Sequence, residues 1–218
     1  MSNKYEEGIA FILEGDTEKE FYLSLLEFLC KKHDGILERQ LDCSNSPDII
    51  YTLKTPSRHL LIKFNTVNTV TQMPHSSRWF ISQCKNKHRD VGSWIVFLCY
   101  DLDNYKNDIT KFYEGDWVNL RTSLKKKAKA VHDIAAAADI EDIILSDIEG
   151  ISRFLGSPNT MVLPTGSKGK AKLKKLFRQA NRTYHEGKRA RTLIDSLDMQ
   201  KIMDTSLAPL TMIESVIF

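Results

Sequence analysis

Short apolar runs, separated by stretches with helical spacing, extend along most of the chain. The runs at residues 9–13, 59–65 and 93–100 are rich in β-branched and aromatic side chains, which is typical of strands buried on both faces. After the first run, apolar positions recur at helical spacing over residues 17–32 and predict an amphipathic helix. Strands that alternate with helices favour an α/β fold, with a mostly parallel sheet flanked by helices.

Weaker patterns fill the rest of the chain. Turn signals dominate residues 36–58, so we predict irregular chain there, with a short helix at 47–53. One long helix is predicted over residues 117–138, which end in an alanine run. The remaining predictions are helices at 76–88, 149–155 and 172–186, short strands at 142–145 and 160–163, a loop or short helix at 104–116, a loop at 164–170, and one or two closing helices.

Composition sets the broad class of the protein. The 218 residues, 42% of them hydrophobic, suit one sizeable core, and we predict an α/β domain over residues 1–165 with a helical extension over 166–218 packed on it. The four cysteines are scattered and lack the spacing of a zinc site. Because no apolar stretch is long enough for a membrane span and no signal-peptide pattern is present, we expect a cytoplasmic protein without a membrane partner.

The net charge of +3 conceals a strongly basic segment near the C-terminus. Residues 166–191 contain ten lysines and arginines and a single glutamate, whereas the rest of the chain has more acidic than basic residues. A solvated surface helix would explain such a run, but a basic segment on an acidic body also favours a polyanionic partner. If that partner is nucleic acid, the residues expected to contact its backbone are Lys170, Lys172, Lys174, Lys175, Arg178 and Arg182.

Two acidic clusters directly follow apolar runs. Residues 14–18 read Glu-Gly-Asp-Thr-Glu, and residues 101–103 read Asp-Leu-Asp. Carboxylates at the carboxyl ends of parallel strands lie in the crevice where α/β sheets bind ligands, and they repel one another unless a cation joins them. Mg²⁺ suits such oxygen ligands and also binds phosphate. Two alternatives stay open: loop caps without chemistry, and an Asp-x-Asp phosphatase of the haloacid dehalogenase type.

The acidic pattern resembles the Toprim domain, a metal-binding Rossmann-like fold shared by topoisomerases, primases and OLD-family nucleases. Glu14 matches the Toprim glutamate after the first strand, and Asp101 and Asp103 match its later Asp-x-Asp pair. Residues 11–22 (FILEGDTEKEFY) are similar to the start of OLD-family and RloB-like proteins of bacterial defence systems. No Walker A loop is present, so the resemblance implies that any ATPase partner is a separate chain.

The resemblance also implies roles for other residues. Glu18 is expected near the metal, and Glu149, together with Asp147, is expected to join a second ion. A lysine that assists phosphate binding corresponds to Lys168 or Lys170, and the sequence leaves that choice open. One or two Mg²⁺ or Mn²⁺ ions are implied as cofactors.

These features lead to a functional prediction with one rival. The prediction is a metal-dependent nuclease for DNA or RNA, acting in antiviral defence, in which Asp101 and Asp103 hold one ion and Glu14 bridges or acts as the general base. The rival is a non-catalytic nucleic-acid-binding or partner subunit that keeps a Toprim-like site. A homo-oligomer is compatible with either.

Overall fold

The computed structural model describes residues 4–42, 48–68, 70–101, 114–166 and 168–218, and these contain one six-stranded sheet. The strands are β1 (Tyr5–Leu13), β2 (Ile36–Asp42), β3 (Asp48–Lys54), β4 (His59–Thr66), β5 (Val91–Asp101) and β6 (Ala130–Ala136). Their order in the sheet is β2-β3-β4-β1-β5-β6. The four strands from β4 to β6 in that order pair in parallel, whereas β3 is antiparallel to both β2 and β4. The predicted α/β class with a mostly parallel sheet is confirmed.

Helices cover both faces of this sheet. The α-helices are α1 (Asp16–Lys32), α2 (Ser76–Trp79), α3 (Glu114–Lys125), α4 (Ile140–Ile144), α5 (Ile148–Leu155), α6 (Gly169–Gln179), α7 (Arg191–Ile194), α8 (Met199–Thr205) and α9 (Thr211–Ile217). A 3₁₀ segment (Val70–His75) precedes α2 and a π-helical segment (Phe80–Asn86) follows it, while shorter 3₁₀ turns lie at Leu145–Asp147 and Gly187–Ala190. None of the helices among the described residues is long and apolar enough to cross a membrane.

The central strands β1 and β5 bury both of their faces, which explains their unbroken apolar sequences. Along β1, Phe11 faces α1 and the C-terminal helices, whereas its neighbour Ile12 faces the opposite layer, which includes α3. Both side chains are fully buried, and burial of a side chain of this size contributes about 2 kcal/mol. Leu173 of α6 and Ile202 of α8 share the core that contains Phe11, so the chain after residue 165 packs on the same core as the sheet.

Several local predictions are wrong, and the largest errors concern strands outside the sheet's centre. Residues 36–58 form the β2–β3 hairpin rather than irregular chain with a helix at 47–53. Residues 117–138 form α3 and then β6, because pairing with β5 overrides the helical preference of the alanine-rich end. Residues 142–145 are helical, residues 160–163 form no strand, and the basic helix spans 169–179 rather than 172–186. The predicted loop over 104–116 lies mostly outside the described residues.

Candidate functional site

The carboxyl ends of β1, β5 and β6 meet at one edge of the sheet and form a pocket lined by acidic side chains. Glu14 follows β1 directly, Asp101 is the last residue of β5, and Asp139 comes three residues after β6. The cavity has a volume of about 470 Å³. We call it the acidic pocket; its charged lining consists of Glu14, Asp16, Glu18, Asp101, Asp139, Glu141, Lys170 and Glu186.

A direct contact joins the first two strand ends. The backbone N–H of Asp101 donates a hydrogen bond to Glu14 Oε1 at 3.0 Å. The parallel register that pairs Leu13 with Cys99 places these two residues next to each other. The sequence prediction that Glu14 and Asp101 converge is therefore met in the structure, whereas Asp103 lies outside the described residues. Glu18, in the first turn of α1 and four residues after Glu14, lines the same pocket.

The crowding of carboxylates alters their acidity. Burial, followed by repulsion from Glu14, Glu18, Asp139 and Glu141, raises the pKa of Asp101 to about 9. Burial and the charge of Asp139 raise the pKa of Glu141 to about 7, and burial also raises the pKa of Glu18. These side chains thus repel one another in the ionised state, and a nearby cation would relieve that repulsion.

The chemistry of this donor set fits a hard divalent cation. The carboxylates offer oxygen ligands, which Mg²⁺ and Mn²⁺ prefer, and Glu14, Glu18, Asp101 and Glu141 are the residues that would hold such an ion. Within the described ranges, no three His, Cys, Asp or Glu side chains are grouped so that they could hold a metal ion as they stand.

Sequence reasoning missed Asp139 and Glu141. Asp139 caps α4, with its Oδ1 accepting from Asp142 N at 3.1 Å, and its Oδ2 accepts from Lys170 N at 3.1 Å. Glu141 is buried and accepts a hydrogen bond from the Tyr184 hydroxyl at 3.0 Å. The signal for them is an Asp-x-Glu pattern that begins three residues after a strand. It was hidden because residues 117–138 were predicted as one helix.

Gly169 allows α6 to approach the pocket. A Cβ atom at this position would lie 2.3 Å from Asp142 N and 2.4 Å from Asp139 Oδ1, so only glycine fits without a shift. This close contact places the backbone N–H of Lys170 on Asp139 and its side chain at the acidic pocket.

The structure does not bring Asp147 and Glu149 to the acidic pocket, which corrects their assignment to a second metal ion. The Asp147 carboxylate is fully buried and accepts hydrogen bonds from Gly150 N at 3.1 Å and Asp198 N at 2.9 Å. Lys201 Nζ lies 3.2 Å from Asp147 and 2.7 Å from the exposed Glu149. Burial alone would raise the pKa of Asp147, but the two N–H donors and Lys201 hold it below its usual value. Both carboxylates are thus already neutralised by structural partners. We call Asp147, Glu149 and Lys201 together the Asp147 cluster.

The basic residues of α6 differ in their surroundings. Lys170 Nζ lies 2.5 Å and Lys174 Nζ 3.2 Å from the carboxylate of Glu186, at the edge of the acidic pocket. Lys172 Nζ lies 3.4 Å from Asp142. Burial raises the pKa of Asp139, and the charge of Lys168, at the N-cap of α6, offsets part of that rise. The other three predicted nucleic-acid contacts, Lys175, Arg178 and Arg182, are exposed.

No family model matches the chain, and no curated protein matches it in sequence.

Proposed function

We propose that the acidic pocket is a metal-dependent phosphodiesterase site that hydrolyses nucleic acid. The observation that carries this proposal is the meeting of Glu14 and Asp101 from separate parallel strands in one pocket, with Lys170 at its edge. The resemblance to Toprim and OLD-family nucleases, stated from residues 11–22 and the Asp101–Asp103 pair, points to the same chemistry.

Each group has a distinct role in this proposal. Glu14 and Asp101, joined by Glu18 and Glu141, would hold one or two Mg²⁺ or Mn²⁺ ions, and Asp103 belongs to the set by resemblance. Such ions, when bound, lower the pKa of a water molecule and stabilise charge on a phosphate. Lys170, with Lys168 as the second candidate, would orient the scissile phosphate.

The lysines and arginines of α6 and the residues after it would contact the sugar–phosphate backbone. Such contacts position a strand but do not read its sequence. Activity in antiviral defence with a separate ATPase subunit is part of the same proposal, as is a cytoplasmic location.

The test is cleavage by the purified chain. Plasmid DNA, single-stranded DNA and structured RNA are incubated with Mg²⁺, with Mn²⁺ and with a chelator. We expect cleavage of at least one substrate with metal, and a loss of 100-fold or more in Asp101→Asn, because electrostatic stabilisation at such sites has effects of this size. Asp204→Asn is the matched control, since Asp204 is exposed on α8 and accepts a hydrogen bond from the Gln200 side chain. Equal activity in Asp101→Asn and Asp204→Asn would reject the site.

The alternative is a non-catalytic nucleic-acid-binding or partner subunit. The exposed side chains of Lys175, Arg178 and Arg182 would serve binding without cleavage equally well. Retained binding of nucleic acid without cleavage under any of the metal conditions would select this alternative.

A further inference from the structure

A second cavity lies beside the acidic pocket and has the opposite character. It measures about 430 Å³, within the usual range of ligand pockets. Its walls are formed by the ends of α5 and α6 and by the chain from Arg182 to Leu193. We call it the aromatic cavity, after the lining side chains Phe154, Phe177 and Tyr184.

The three rings form a continuous apolar wall. The centroids of Phe154 and Phe177 are 6.1 Å apart, and those of Phe177 and Tyr184 are 5.4 Å apart in an edge-on arrangement. The Arg182 guanidinium lies 5.7 Å above the Phe154 ring and donates a hydrogen bond to the Phe154 carbonyl at 3.0 Å. A planar cation held over a ring is itself a surface on which a flat aromatic ligand can stack.

The charge around this wall is positive. Arg182, Arg189 and His185 line the cavity, and its described lining contains no acidic residue. Neither guanidinium forms an ion pair with a carboxylate in the described part of the chain, and both side chains are exposed. Arg189 can therefore bind an anion without first releasing an internal partner. Apolar walls with a cationic edge suit a ligand that is flat at one end and anionic at the other.

One segment separates the aromatic cavity from the acidic pocket. The Tyr184 ring lines the aromatic cavity, while its hydroxyl donates to Glu141 of the acidic pocket at 3.0 Å. Two residues later, Glu186 and Gly187 line the acidic pocket. A ligand in the aromatic cavity would thus lie one phenol ring away from the carboxylates.

We infer that the aromatic cavity binds one nucleoside phosphate unit, with the base against Phe154 and Arg182 and the phosphate on Arg189. The unit is either a free nucleotide or part of a strand. In the second case the inference deepens the proposed function, because a base held here would lead the neighbouring phosphate into the acidic pocket.

The test is binding without metal, so that cleavage does not enter. In the presence of chelator, calorimetry compares a nucleoside monophosphate, ribose 5-phosphate and inorganic phosphate on the full chain. We expect the nucleotide to bind at least tenfold more tightly than ribose 5-phosphate, because stacking on aromatic and guanidinium surfaces is sequence-tolerant and strong. Arg189→Ala and Phe154→Leu should each weaken nucleotide binding about tenfold. Arg89→Ala, which removes an exposed arginine ahead of β5 at the opposite edge of the sheet, should leave it unchanged.

Short single-stranded oligonucleotides with and without a base at one position then distinguish the two sources. Discrimination against the abasic oligonucleotide assigns the cavity to a strand, and discrimination among the small ligands alone assigns it to a free nucleotide. Equal affinity for nucleotide and inorganic phosphate, or unchanged affinity in Arg189→Ala, would overturn the inference. Nucleotide binding by a chain that cleaves nothing would support the inference and reject the nuclease proposal, so the two can fail separately.

Discussion

Two sets of buried carboxylates in this chain have opposite surroundings. In the Asp147 cluster, two backbone N–H groups and Lys201 neutralise the carboxylate, and its pKa is lowered. In the acidic pocket, Asp101 is shielded from water and faces four other carboxylates. Burial and the repulsion from these carboxylates raise its pKa to about 9. A buried acid with its own donors stabilises a fold, whereas buried acids that face one another cost stability and mark a place for a positively charged ligand.

The largest effect on stability is expected in the Asp147 cluster. Asp147→Asn keeps the size of the side chain but removes the charge that Lys201 and two N–H groups bind. Loss of one partner from a buried, hydrogen-bonded charge pair costs about 3 kcal/mol, so the free energy of unfolding should fall by that amount. Urea unfolding of the wild type and the variant measures the difference. A change below the experimental error would mean that the cluster is not structural.

A smaller effect of opposite sign is expected at Asp101. Without metal, Asp101→Asn should raise the free energy of unfolding by about 1 kcal/mol at neutral pH, because folding then no longer has to protonate a carboxyl group that the unfolded chain ionises. The sign follows from the raised pKa: between about pH 4 and pH 9 the unfolded chain ionises Asp101 while the folded chain keeps it protonated. The wild type should therefore lose stability relative to Asp101→Asn as the pH rises through that window. A gap that is constant from pH 5 to pH 8 would contradict the account.

Divalent cations should narrow the difference in stability between the wild type and Asp101→Asn. Preferential binding of Mn²⁺ or Mg²⁺ to the folded carboxylates, as the proposed function requires, should raise the melting temperature of the wild type by a few degrees, the shift expected for about 1 kcal/mol. Asp101→Asn should respond less, and Asp204→Asn should respond like the wild type. An equal shift in all three proteins would assign the effect to general salt stabilisation.

The same comparison shows what the sequence could and could not reveal. Glu14 and Asp101 were found because β1 and β5 are buried on both faces, and their apolar runs therefore mark the strand ends. Asp139 and Glu141 were missed because β6 has strand conformation only through its pairing with β5, and its alanines are typical of a helix. Asp147 was assigned to a metal only through the resemblance to the Toprim and OLD families. Its actual partner Lys201 is 54 positions away, and only the packing of α8 brings the two together.

The smallest effect is expected at Glu186, which lines the acidic pocket but, like Asp147, has lysine partners of its own. Its carboxylate neutralises Lys170 and Lys174 at the edge of the acidic pocket, in the position where a substrate phosphate would compete. Glu186→Gln should strengthen nucleic-acid binding about threefold and steepen its salt dependence, because two lysines become available to phosphate. Fluorescence anisotropy with a labelled oligonucleotide, measured in chelator at several salt concentrations, records both quantities.

Glu149→Gln is the matched control for this change. It also removes one negative charge beside a lysine, but in the Asp147 cluster, where Lys201 keeps Asp147 as a partner. If binding tightens equally in Glu149→Gln and Glu186→Gln, net charge alone explains the effect. If it tightens in Glu186→Gln alone, the lysines of α6 contact the substrate at the acidic pocket, and Glu186 competes with phosphate for them.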